Sequence, residues 1–144
     1  MAAKTRAPRN RTIDLSSDES DKYLSHITRD HFSNCQNKII CRDAFETLGK
    51  LPKGEFDLLF ADPPYNLNKD FGGRRFNQTS SEEYEVWLDS WLRLCVPPLK
   101  KTASVYICGD WRSGTAIERA ASRYFKLQNR ITWEREKGRG AKAN

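Results

Sequence analysis

The chain has 144 residues, 38% of them hydrophobic and 31% charged, a globular composition with room for one domain and a modest core. No apolar run approaches the roughly 18–20 residues that cross a bilayer, and the start is basic and polar, so neither a transmembrane helix nor a secretory signal is expected and the cytoplasm is the expected location. The net charge of +6 favours a polyanionic partner, with Lys4, Arg6, Arg9 and Arg11 ahead of the first acid, Asp14, and Arg130, Arg135, Lys137, Arg139 and Lys142 near the end.

Residues 1–25 read as a basic flexible arm, with a weak helical pattern through Tyr23, Leu24 and Ile27. His26, His31 and Cys35 lie close together without an evident fourth ligand, so no metal site is expected. The four cysteines show no C-x-x-C spacing; Cys41, Cys95 and Cys108 fall in apolar patterns and are expected to be buried, reduced thiols. Regular structure is expected from residue 38 to 144. Residues 38–41 form a short apolar strand, and Asp43 follows as the N-cap of a helix through Ala44, Phe45 and Leu48 that stops at Gly49. After a turn at 51–54, residues 56–61 form a nearly continuous apolar strand of the kind covered on both faces.

Residues 62–79 are a long polar segment, and loops of that length are usually functional. Ser80 or Ser81, followed by Glu82 and Glu83, starts a helix in which Tyr84, Trp87, Leu88, Trp91, Leu92 and Cys95 recur at helical spacing until Pro97-Pro98. A strand at 103–108, a helix opened by Asp110, and a last strand at 127–133 complete the pattern. Strands alternating with helices imply a partial Rossmann-like α/β fold: a parallel sheet with helices on both faces, apparently truncated.

Asp62-Pro63-Pro64-Tyr65 stands directly after the strongest strand, where ligands bind in open α/β sheets. An exocyclic amino group on an aromatic base is a poor nucleophile, because its lone pair is delocalised into the ring. The Asp62 carboxylate and the Pro63 carbonyl can each accept one amino hydrogen and turn the lone pair toward an electrophile. The prolines fix the backbone and remove competing N–H donors. Tyr65 offers a flat ring to a base taken out of the duplex, so removing its hydroxyl alone is expected to cost little.

Residues 39–71, IICRDAFETLGKLPKGEFDLLFADPPYNLNKDF, resemble the DNA methyltransferases that methylate amino groups from S-adenosylmethionine. The catalytic motif preceding the cofactor motif marks their beta class, many members of which serve restriction–modification systems. The resemblance implies that Asp62, Pro63, Pro64 and Tyr65 are catalytic, that Asp62 also borders the cofactor, and that Asp43 lies near the cofactor's adenine. Asp43 reads equally as a plain helix cap. The resemblance further implies double-stranded DNA as the partner, and adenine as the base, since relatives acting on the cytosine amino group more often carry Ser where Asp62 stands.

The family's F-x-G-x-G turn is not found, and Phe71-Gly72-Gly73 lacks its spacing. A missing second half or companion subunit is therefore expected. Arg74 and Arg75, in the loop over the site, read either as phosphate contacts or as solvated charges. The alternatives are an N4-cytosine DNA methyltransferase, a ribosomal RNA base methyltransferase, and an inactive DNA-binding remnant.

Overall fold

The computed structural model describes residues 15–25, 27–28, 32, 35–71 and 74–133. His26, His31, Gly72, Gly73 and most of the terminal basic residues lie outside the described residues, with the expectations placed on them. The chain divides into two compact units, Met1–Pro52 and Lys53–Asn144.

In the first unit, α1 spans Ser17–Leu24 and begins inside the segment expected to be a flexible arm. Ser16 accepts from the Glu19 amide at 3.3 Å while Glu19 accepts from the Ser16 amide at 2.9 Å. This reciprocal capping satisfies two otherwise orphaned donors, and the bonds to Ser16 hold the Glu19 carboxyl below its ordinary pKa. No residue of α1 is buried. Strand β1, Ile27–Thr28, pairs in parallel with β2, Ile39–Ile40. Helix α2 then spans Ala44–Leu48, with Asp43 as its N-cap and Gly49 as its C-cap.

The second unit contains β3 (Phe56–Ala61), β4 (Lys69–Phe71), β5 (Arg74–Phe76), α3 (Ser81–Cys95), β6 (Leu99–Ile107) and α4 (Gly114–Ala121). β3 and β6 are parallel neighbours, in register from Leu58↔Ser104 to Ala61↔Ile107, which carries the expected α/β architecture. The core is Tyr84, Leu88, Trp91, Leu92 and Cys95 of α3 with Ala116 and Ala120 of α4, so the helical spacing of α3 identified its buried face correctly. Ser80 and Glu83 cap α3 reciprocally, at 3.1 and 3.0 Å. At the end of β6 the backbone passes so close to α4 that a Cβ on Gly109 would collide with Ile117.

Five expectations need correction. Leu58 and Phe60 are 56% and 67% exposed and Tyr106 46%, so β3 is covered on one face among the described residues. The loop at 62–79 contains the antiparallel hairpin β4–β5. Residues 126–133 form no strand, and Leu127, Ile131 and Trp133 stay 59%, 76% and 87% exposed; an apolar run becomes a strand only where a neighbouring backbone accepts its hydrogen bonds, and none of the described strands does. Cys41 is exposed and Cys108 intermediate; only Cys95 is buried as expected, and burial pushes its thiol up to about 11. The helix expected from Asp110 begins four residues later, because Asp110 Oδ1 accepts the Ser113 amide at 2.8 Å in a turn that precedes α4.

Candidate active site

Asp62, Pro63, Pro64 and Tyr65 emerge from the carboxyl end of β3 and line one cavity of about 430 Å³, together with Leu67, Lys69 and Phe76. The four motif residues are therefore brought together, at the sheet end where the pattern placed them. Just before them the strand ladder closes with the Cys108 amide donating to the Ala61 carbonyl at 2.8 Å. Just after them the Leu67 amide donates to the Tyr65 carbonyl at 2.7 Å. Between those two bonds the prolines have no N–H to donate, so side chains must hold the motif.

Two tyrosine hydroxyls do so. Tyr65 Oη donates to Asp62 Oδ1 at 3.0 Å, which occupies one carboxylate oxygen and leaves Oδ2 without a partner among the described residues. Burial, then this bond to Asp62, raises the Tyr65 phenol above its ordinary pKa, so it stays a neutral donor. The expectation that the hydroxyl is dispensable overlooks this bond. Tyr84 Oη, from α3, donates to the Pro64 carbonyl at 3.0 Å. Burial pushes that phenol up to about 12, against a smaller opposing effect of the Ser113 hydroxyl. Burial and the Asp62 charge also raise the Cys108 thiol.

The far end of the loop is closed by two asparagines. Asn66 donates from Nδ2 to the Thr79 carbonyl at 2.9 Å and accepts the Thr79 amide at 2.8 Å. Asn68 Oδ1 accepts the Gln78 amide at 2.8 Å. Their side chains stand in for backbone below the β4–β5 ladder, whose last pair is Lys69↔Phe76, and so bring Lys69 and Phe76 to the cavity wall. Arg75 is exposed and sits opposite Asp70 in that ladder; the Arg74 side chain lies outside the described atoms.

Asp43 belongs to the first unit. Its Oδ1 accepts the Phe45 and Glu46 amides at 2.9 and 3.4 Å, and Oδ2 has no partner among the described residues. Sequence reasoning missed Tyr84, Lys69 and Phe76 as site residues. Only Tyr84 carried a signal, as an aromatic on the buried face of the helix that follows the loop. No metal-holding group of three His, Cys, Asp or Glu occurs among the described residues, and none of their helices is long and apolar enough to cross a membrane.

Residues 56–144 match the N6/N4 methyltransferase family, described as DNA methylase. The chain is 34% identical over 102 residues to the DNA adenine methyltransferase YhdJ of Escherichia coli, covering 71% of this chain and 34% of that protein. It is 28% identical over 102 residues to the type II methyltransferase M.BamHI of Bacillus amyloliquefaciens, covering 71% and 24%. With the type II methyltransferase M.BglII of Bacillus subtilis it shares 28% identity over 135 residues, covering 84% and 35%. The chain thus spans between about a quarter and a third of these relatives. The match runs from the first residue of β3 through the motif cavity and beyond α4, and on it the chain belongs to the N6/N4 DNA methylase family.

Proposed function

We propose that this chain carries the catalytic motif of a DNA methyltransferase that moves a methyl group from S-adenosylmethionine to the exocyclic amino group of adenine, in a restriction–modification setting. The single observation that carries the reading is the cavity in which Asp62, Pro63, Pro64 and Tyr65 converge after β3. One carboxylate, two prolines and two aromatic rings suit a flat base bearing an amino group. Asp62 Oδ2 and the Pro63 carbonyl accept the two amino hydrogens and hold the nitrogen lone pair toward the incoming methyl. Methyl transfer would form a carbon–nitrogen bond as the methyl–sulfur bond of the donor breaks and leaves a neutral thioether; the nitrogen is then cationic and acidic and gives up one proton, for which Asp62 is the adjacent acceptor. Tyr65 stacks on the base with its ring and orients Asp62 with its hydroxyl.

S-Adenosylmethionine, when bound, supplies a methyl group on a cationic sulfonium. The donor set fits it in part. Asp62, an exposed carboxylate at the cavity, suits the positive charge. Asp43 is used within the first unit as the cap of α2, through Oδ1. Adenine is favoured over cytosine by the acid at position 62 and by the name of the relative YhdJ. DNA is favoured by the net charge of +6. Mass spectrometry of nucleosides from DNA incubated with the protein and the methyl donor tests the reading. Methylated adenine is expected; methylated cytosine alone overturns the base assignment, and no methylated base overturns the function.

A further inference from the structure

The motif offers two proline carbonyls, one residue apart, and methyl transfer on the reading above requires only that of Pro63. Neither proline can donate a hydrogen bond, so the backbone itself does not decide which carbonyl meets the substrate. Among the described residues, one hydrogen bond reaches these two prolines: Tyr84 Oη to the Pro64 carbonyl, at 3.0 Å and across 20 residues of sequence. The Pro63 carbonyl accepts nothing from them.

The donor is held rigidly. Tyr84 is 6% exposed, sits in the first turns of a 15-residue helix whose start is doubly capped, and stacks on Trp87 with centroids 5.6 Å apart and planes 17° from parallel. Trp87 in turn meets Trp91 edge-on at 6.2 Å. Ser113, at the start of α4, lies beside the same hydroxyl and is itself 3% exposed. Helix α3 therefore fixes the position of one phenol oxygen, and that oxygen ends on the catalytic loop rather than on another core group. A buried tyrosine serving packing alone would be replaced by phenylalanine without loss, and its hydroxyl would need only some acceptor.

We propose that Tyr84 is a positioning residue for methyl transfer, whose hydroxyl holds the Pro64 carbonyl and thereby leaves the Pro63 carbonyl as the acceptor presented to the amino group. The proposal rests on the function argued above and goes beyond it in naming a residue outside the motif. Loss of the hydroxyl lets the two-proline loop rotate its carbonyls, and misplacing reacting groups by about 1 Å costs on the order of 10²-fold in rate.

The test is Tyr84→Phe, which keeps the ring and its stacking, in the protein as purified from its source cells. Expected are a fall in kcat of about ten- to a hundredfold, a KM for DNA unchanged within about twofold, and a melting temperature near that of the wild type. In protein labelled with carbonyl-13C proline, the Pro64 resonance should move upfield while that of Pro63 stays. Val86→Ala, on the exposed face of α3, should leave kcat unchanged. Full kcat in Tyr84→Phe, or a loss wholly accounted for by a lower melting temperature, overturns the positioning role. Asp62→Ala separates the two readings: if that variant remains active the function itself is wrong, whereas an inactive Asp62→Ala beside a fully active Tyr84→Phe removes only the role of Tyr84.

Discussion

Leu59 and Ala61 of β3 are partly buried, and α3 contributes Leu88 and Leu92 to the core, both 0% exposed. On the other side of β3 Leu58 and Phe60 are exposed among the described residues, and Phe60 lies against Tyr106 of β6, with centroids 6.4 Å apart. The same six-residue strand is thus partly buried on one face and exposed on the other among the described residues. Helix α3 supplies Tyr84 to the motif at the end of this strand. The geometry of the motif therefore depends on the helix that supplies the Tyr84 hydroxyl.

The sharpest way to break that contrast is to cut equally into both sides. Leu88→Ala opens a cavity in the core and should cost about 2–5 kcal/mol of unfolding free energy. Phe60→Ala, at an exposed site, should cost about 0.5 kcal/mol or less. Denaturant titration of the two variants decides, and equal losses would mean that a second layer covers Phe60 in solution.

Within the cavity, Tyr65→Ala removes both stacking and the bond to Asp62. Stacking alone contributes roughly 1–3 kcal/mol per base, so productive base binding should weaken by about ten- to a hundredfold. Tyr65→Phe keeps the ring and loses a hydrogen bond to a charged group, a contribution of about 1.5 kcal/mol at the low end, or roughly tenfold in kcat/KM. Steady-state kinetics on both variants separate the ring from the hydroxyl, and a fully active Tyr65→Phe would return that group to mere stacking.

The smallest effect is expected in alkali. The folded-state pKa of Tyr84 is raised from 10.0 to about 12, so folding favours the neutral phenol. Its contribution to stability is complete below pH 10 and is lost as pH rises through about 12. Tyr84→Phe should flatten that part of the stability curve, as followed by melting temperature against pH. Equal alkaline slopes in the two proteins would argue that the phenol is not held as described.

Much of this was legible from residue order. The apolar run at 56–61 followed by Asp62-Pro63-Pro64-Tyr65 located both the strand and the cavity, because the sheet end and the loop chemistry coincide. The spacing of Tyr84, Leu88, Trp91, Leu92 and Cys95 identified the buried face of α3, because helical periodicity reports burial directly. What that periodicity cannot report is where a buried hydroxyl points. The 20-residue step from Tyr84 to Pro64 and the Tyr65–Asp62 bond are set by packing. The hairpin at 69–76 hid behind Asn66 and Asn68, polar residues typical of loops, whose side chains act here as backbone. The run at 127–133 misled for the opposite reason: its β-forming residues suit a strand, but strand formation needs a partner that local pattern does not contain. Ser16 and Glu19 did carry a readable capping signal for α1, obscured by the charged composition around them.

The central claim is that Asp62 accepts an amino hydrogen of the target base, and its most direct test is methyl transfer by Asp62→Ala measured beside DNA binding. Removing the acceptor should slow transfer on the order of 10²-fold or more while DNA affinity changes little. A variant that still methylates adenine at the wild-type rate would contradict the account.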